Sequence, residues 1–205
     1  MIAIIDYDAG NIKSVEKALQ YLGEEVIITR EAEVILNADG VILPGVGAFG
    51  DAMDKLNRYG LTEVIHQYVE TGKPFLGICL GLQLLFEESE ESPRVRGLHL
   101  LDGKIVRIPA ENGLKVPHIG WNDLSFPREG KLFRGLKEHS YVYFVHSFYL
   151  QAEEEQVVTA TAEYGVNIHA SVEKGNVFAC QFHPEKSSEV GMQILRNFIE
   201  LTKSK

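Results

Sequence analysis

Short apolar runs and helical stripes alternate along the first half of the chain. Residues 2–5 are an apolar run, and in residues 11–22 the positions Ile12, Val15, Leu19 and Leu22 fall at helical spacing. Gly23 stands where a C-terminal cap belongs. Residues 25–29 and 40–43 read as further strands. Residues 61–71 read as a helix, with Leu61, Val64, Ile65 and Tyr68 on one face and Gly72 after it. Residues 75–78 form a fourth apolar run, and residues 80–87 read as helical again. Near-continuous apolar strands alternating with amphipathic helices predict a mostly parallel sheet covered on both faces.

Beyond residue 104 the pattern changes. Residues 104–108, 140–146, 156–164, 168–172 and 177–182 are β-branched or aromatic runs separated by Gly, Asn and acidic turns, which predicts antiparallel hairpins. A last helix follows, with Ser187 or Ser188 as cap and Val190, Ile194, Phe198 and Leu201 on one face. With no repeat, low-complexity tract or Pro/Ser-rich linker, the pattern predicts one α/β domain over residues 1–205. Its open, mostly parallel sheet is flanked by helices and carries an antiparallel extension in the second half.

Composition narrows the class without naming an activity. The 205 residues carry 20 Lys+Arg against 29 Asp+Glu, a formal net charge of -9, with a pI near 5.3 and a mean hydropathy of -0.06. That balance argues against a nucleic-acid or anionic-membrane binder, which meets phosphates with basic patches. Two cysteines are too few for a disulfide scaffold. The start, Met1-Ile2-Ala3-Ile4-Ile5, lacks a basic flank and meets Asp6 at once, unlike a signal peptide. The longest apolar stretch, residues 75–86, falls short of the ~20 residues a membrane span needs. A soluble protein of a reduced, cytoplasmic compartment is expected. Acidic runs at residues 87–91 and 153–155 read as solvated loops.

Chemistry concentrates at two places. Gly77-Ile78-Cys79-Leu80-Gly81 follows a strand and opens a helix, the form of a nucleophile elbow with Cys in place of Ser. The helix start directs free N–H groups and a positive dipole end at the thiol, favouring thiolate. The N–H of Leu80 is placed to donate to a developing oxyanion. A buried core cysteine between packing glycines is the alternative. A nucleophile needs a base, and the base an orienter. Gln181-Phe182-His183-Pro184-Glu185 supplies both, because residues two apart in an extended segment share a face and Glu185 can then hold the His183 imidazole in one tautomer. Only the fold can unite positions 79 and 183. His66, His99, His118, His139, His146 and His169 lack such a setting and read as structural or exposed. Cys180 reads as core. A zinc site of Cys79, His183 and Glu185 has no CxxC or HxxxH spacing behind it, so no metal is expected. Pro44-Gly45-Val46-Gly47-Ala48-Phe49-Gly50 contains a formal G-x-G-x-x-G. It follows the third apolar strand, and the acidic residue ~20 positions on, Glu70, lies on a helix. It reads better as a partner of the oxyanion hole than as a dinucleotide loop; a plain tight turn is the alternative.

The elbow, the Pro44-Gly45 loop and His183-Pro184-Glu185 resemble, in order and over essentially the whole chain, the triad (class I) glutamine amidotransferases. Tyr7-Asp8-Ala9-Gly10-Asn11, the loop at 44–49, Pro117-His118-Ile119-Gly120-Trp121-Asn122, Tyr143–Phe148 and His183–Ser187 are similar to the histidine-biosynthesis branch. The Pro44-Gly45-Val46-Gly47 loop, in place of Pro-Gly-Gly-Pro, favours that branch over the anthranilate type; the anthranilate and pyridoxal-phosphate branches are the alternatives. The resemblance implies a glutaminase without cofactor, with nucleophile Cys79, base His183 and orienter Glu185. It implies that Gln83, Gly45, Gly47, Ser147 and Phe148 hold glutamine or its oxyanion. Phe148 replaces a frequent Tyr, which points to a ring contact. A separate cyclase/synthase subunit, a (β/α)8 barrel in a heterodimer, would receive the ammonia, with Asn11, Trp121, Asn122 and Lys186 at or near the interface. A core Trp and a solvated Lys are the plainer readings of Trp121 and Lys186. A different hydrolase on the same triad, or a non-catalytic scaffold, would also fit the elbow.

Overall fold

In the computed structural model, which describes residues 1–110 and 113–203, the first half runs β1 (Ile2–Ile5), α1 (Ile12–Tyr21), β2 (Val26–Thr29), α2 (Ala32–Asn37), β3 (Gly40–Leu43), α3 (Phe49–Arg58), α4 (Leu61–Glu70), β4 (Phe75–Ile78) and α5 (Leu80–Gln83). The second half adds β5 (Glu88–Ser89), β6 (Gly103–Arg107), β7 (His118–Leu124), β8 (Ser140–His146), β9 (Phe148–Ala152), β10 (Val158–Glu163), β11 (Asn167–Lys174), β12 (Val177–Cys180) and α6 (Ser188–Lys203). The main sheet has the order β10-β11-β12-β4-β3-β1-β2. Pairs from β12 to β2 are parallel, while β10, β11 and β12 pair antiparallel. The expected parallel sheet with an antiparallel extension is therefore one continuous sheet.

Every residue of β1, β3, β4 and β12 is buried, as strands covered on both faces must be. Alternate side chains go to opposite layers. Ile2, Ile4, Ile42, Leu76 and Phe178 pack with Val15 and Leu19 of α1 and Ile194 and Phe198 of α6. Ala3, Ile5, Val41, Leu43 and Phe75 pack with Met53 and Leu56 of α3 and Leu61, Ile65 and Tyr68 of α4. Each such large apolar side chain contributes about 1.5–3 kcal/mol on burial. β5, β6 and β9 form a small second sheet, and β7 with β8 a separate two-stranded ribbon.

The helix expected over residues 80–87 is one turn long. Beyond it, N–H groups of Leu85 and Phe86 bond back to Leu82 and Gln83, a tighter i+3 pattern. The carbonyls of Leu84 and Leu85 accept from Leu98 and Leu100 instead of continuing a helix. α3 goes beyond the sequence expectation: Phe49, Ala52, Met53 and Leu56 are its buried stripe, starting inside the glycine-rich loop. Among the described residues no helix is long and apolar enough to cross a membrane.

Candidate active site

The parallel pair β4–β12 brings the two chemical segments together. Its register sets Ile78 beside Cys180, and the Cys79 N–H then donates to the Cys180 carbonyl at 2.8 Å. The chain thus leaves the two neighbouring strands side by side, toward Cys79 from one and toward His183 from the other. At Cys79 the backbone turns with φ 56° and ψ -110°, a strained conformation for a non-glycine residue. The turn needs its glycines. A Cβ on Gly77 would lie 2.7 Å from the Gly81 carbonyl oxygen, and one on Gly81 only 1.9 Å from that of Leu43.

His183 is 1% exposed and the Glu185 side chain 0%. His183 Nδ1 meets Glu185 Oε1 at 2.7 Å, so the carboxylate fixes the proton on Nδ1. The other ring nitrogen, Nε2, has no aligned hydrogen-bond partner among the described residues. Burial alone would lower the proton affinity of this imidazole. Interaction with the Cys79 sulfur and the Glu185 carboxylate outweighs burial and raises the pKa to about 9. His183 therefore holds a proton firmly once it has one, the state that pairs with a thiolate at Cys79.

Cys79 opens into a cleft of about 330 Å³ lined by Val46, Gly47, Leu80, Gln83, Glu91, Pro117, Val145, His146, Ser147 and Phe148. Gly47, Leu80, Gln83, Ser147 and Phe148 are thereby gathered around the thiol as the sequence suggests. Gly45 lies behind the cleft, where a Cβ would meet the Tyr7 hydroxyl at 2.2 Å. The Leu80 N–H, expected to await an oxyanion, instead donates to the Gly45 carbonyl at 3.3 Å. Close packing of Gly45 on Leu80 makes that bond available, so in this state the donor is occupied. Gln83 Nε2 donates to the Phe148 carbonyl and to Gln181 Oε1, both at 3.1 Å. The Phe148 side chain is half-buried at the cleft wall.

The residues expected near an interface divide. Trp121 is 53% exposed on β7, edge-on to Tyr143, and Lys186 is exposed. Asn122 is half-buried and donates to the Glu163 carbonyl at 2.9 Å. Asn11 lies inside the triad network: its Nδ2 donates to Glu185 Oε1 at 2.6 Å and stands 3.5 Å from His183 Nδ1. Asn is a favoured N-cap because its side chain can bond a helix N–H. Asn11 is the N-cap of α1, with φ 68°, yet makes no side-chain cap bond; its amide is spent on Glu185.

Three further groups belong to the site. Gln181, fully buried, points Nε2 at Cys79 Sγ at 3.8 Å; it precedes His183 by two and shares its face, so the period-two pattern could have found it. Glu91, expected on a solvated acidic loop, is half-buried at the cleft and accepts the Phe49 N–H at 2.8 Å. The first N–H groups of α3 draw the carboxylate inward, as helix N-termini do. His146 lines the cleft and bonds to His118 at 3.0 Å, a pairing that spacing alone does not reveal. Cys180 is buried as expected, and burial raises its pKa well above the usual thiol range.

The family model of class-I glutamine amidotransferases matches residues 3–201. A Moorella thermoacetica protein named imidazole glycerol phosphate synthase subunit HisH is 55% identical, over 98% of this chain and 95% of the relative. Bacillus subtilis and Methanothermobacter thermautotrophicus proteins of the same name are 53% and 48% identical, covering 98% and 100% of this chain and 96% and 100% of the relatives. A crystal structure described as a glutamine amidotransferase superposes with a TM-score of 0.77 at 24% identity, covering 100% of both chains. A glutamine amidotransferase from Thermotoga maritima superposes with a TM-score of 0.73 at 17% identity, over 99% of this chain and 98% of that one. Both structural likenesses speak to the fold.

Proposed function

Since the chain belongs to the class-I glutamine amidotransferase family, we propose that it is the glutaminase subunit of an imidazole glycerol phosphate synthase, working as one domain over residues 1–205 in the cytoplasm. The observation that carries the reading is a buried Cys79–His183–Glu185 constellation opening into a cleft sized for an amino acid. The names of the relatives supply the branch of the family.

The carboxamide of glutamine lies against Cys79 Sγ, and the sulfur attacks its carbonyl carbon. The thiol proton passes to His183 Nε2, the ring nitrogen without an aligned partner among the described residues. As the C–N bond breaks, His183 returns that proton to the leaving nitrogen and ammonia departs, leaving a γ-glutamyl thioester on Cys79. Water then loses a proton to His183, attacks the thioester carbonyl, and the proton goes back to the departing sulfur; glutamate is released. Glu185 holds the ring in one tautomer throughout and balances the imidazolium. Gly45, Gly47 and Leu80 form the oxyanion region. The Leu80 N–H can stabilise the tetrahedral oxygen only after leaving the Gly45 carbonyl. Gln83, Ser147 and Phe148 shape the substrate wall, Phe148 through its ring and its carbonyl.

Ammonia is useful only where a second chain consumes it. The ribbon β7–β8 supports docking of a cyclase subunit, a (β/α)8 barrel in a heterodimer: Ile119, Trp121 and Tyr141 are 60%, 53% and 56% exposed. Such a patch of apolar and aromatic side chains is typical of an interaction surface. Trp121, Asn122 and Lys186 are the interface residues in this reading. Asn11 serves it from beneath, through Glu185. The net charge of -9 suits a subunit handling a net-neutral amino acid while the partner binds the phosphates. The test is glutamate release from glutamine, by the chain alone and with the cyclase subunit plus its nucleotide. Low activity alone, strong stimulation in the complex and none with Cys79→Ala are expected. Full activity of Cys79→Ala would sink the catalytic assignment.

A further inference from the structure

His118 of β7 and His146 of β8 sit directly opposite in the ribbon register. Both are buried, at 3% and 6% exposure. Their rings meet through His118 Nδ1 and His146 Nε2 at 3.0 Å. His146 Nδ1 lies 2.8 Å from the Phe148 carbonyl oxygen, which can only accept, so that nitrogen carries a hydrogen. A neutral His146 therefore has a bare Nε2, which must accept, and His118 Nδ1 must donate. His118 Nε2 is then bare in turn and faces Asn122 Nδ2 at 3.5 Å. One set of tautomers satisfies all three contacts. An added proton on either ring would set two N–H groups head to head or against the Asn122 amide.

The pair is held in place by packing. The His118 ring stacks on Tyr164 at 3.9 Å and on Phe144 at 4.8 Å. Its far end feeds the site already described: the Phe148 carbonyl that His146 holds also accepts Gln83 Nε2. Gln83 holds Gln181, whose amide points at Cys79 Sγ. Its near end, Asn122, neighbours Trp121 on the exposed ribbon.

We propose that His118 and His146 are positioning residues: a neutral, tautomer-locked imidazole pair that fixes the Phe148 carbonyl, and so the glutamine-facing wall of the cleft, relative to the docking ribbon. This rests on the reading of the cleft as a glutamine site. Burial of both rings pushes His118 down to about 4 and His146 down to about 3, which keeps the pair uncharged at neutral pH as the tautomer logic requires.

Two measurements decide it. Ring-nitrogen NMR of the chain alone, with ¹⁵N-labelled histidine, should show both rings as neutral Nδ1–H tautomers at pH 7. An Nε2–H tautomer or an imidazolium at either ring overturns the proposal. In the complete complex, His118→Phe keeps the stacking but removes the donor to His146. The KM for glutamine should then rise about 2- to 10-fold, the loss of one net hydrogen bond, with a smaller change in kcat. His118→Asn, whose amide NH2 sits near the Nδ1 position, should restore most of that KM. If the Phe variant does not fold, His118→Gln, which keeps an acceptor for Asn122 and lacks the Nδ1 donor, takes its place. An unchanged KM in the folded variant overturns the positioning role. A wild-type complex that released no glutamate would instead overturn the glutaminase reading, and the tautomers would still decide the pair.

Discussion

Replacing Asn11 by alanine removes one of the two hydrogen bonds that the buried Glu185 carboxylate accepts, the other coming from His183. Both fall on Oε1, and Oε2 has no partner among the described residues. A hydrogen bond to a charged group contributes about 1.5–3 kcal/mol net. The Glu185 side chain is 0% exposed, so the carboxylate loses most of that without compensation from bulk water. If the loss falls on the imidazolium-like transition state, kcat should drop by about 10- to 100-fold, since each 1.4 kcal/mol is tenfold. If it falls on the folded state, the denaturant midpoint should move by the equivalent of about 1–3 kcal/mol. Asn11→Asp sets a second carboxyl against Glu185 and should be worse than alanine at pH 7. The assay is glutamate release at saturating glutamine while the cyclase partner is titrated, which separates kcat from the affinity of the complex. A variant with unchanged kcat and stability but weaker partner binding would refute the triad role and make Asn11 a surface contact.

Three more outcomes follow from geometry. Gly81→Ala places a Cβ 1.9 Å from the Leu43 carbonyl oxygen, and should cost at least about 3 kcal/mol or prevent folding; a normal melting temperature would contradict the elbow's packing. Trp121→Ala, at a half-exposed ring, should leave the melting temperature of the chain nearly unchanged and weaken partner binding by about tenfold or more, measured by calorimetric titration. Lowering the pH should destabilise the fold through His118, whose folded-state pKa lies near 4 against an ordinary 6.5. A depressed base keeps its stability above pH 6.5 and loses it as pH falls toward 4. On the order of 2 kcal/mol should go through His118 between pH 7 and 5, and His118→Asn should make that limb shallower in denaturant titrations, the remaining slope coming from His146, whose pKa lies near 3.

The sheet was legible because its strands obey simple rules. Residues 2–5, 40–43 and 75–78 are uninterrupted apolar runs and are fully buried strands. Where hydrogen bonds to a distant segment compete with the helix, the pattern misleads: Leu84, Leu85 and Phe86 are all buried, so no polar face tells where the helix after Cys79 stops. Cys79, His183 and Glu185 were readable because each sits in a local motif with its own geometry, strand-turn-helix or a period of two. Asn11 on Glu185 and His118 on His146 were not. They join positions 174 and 28 residues apart, and nothing local in either segment records the other. In the sequence Asn11 looks like an ordinary N-cap; only the structure shows that it forgoes its own cap bond, a local rule broken at a functional site.

The contrast between the two cysteines has a practical side. Cys180 is 0% exposed, its sulfur turned to the Phe182 carbonyl, whereas Cys79 keeps 6% of its surface at the cleft. In the native state a small thiol-directed reagent therefore reaches one sulfur per chain, and denaturation reveals a second. Mass spectrometry of the native adduct would count competent sites molecule by molecule. Any preparation labelling at less than one equivalent is then diagnosed as partly inactivated before a single turnover is measured.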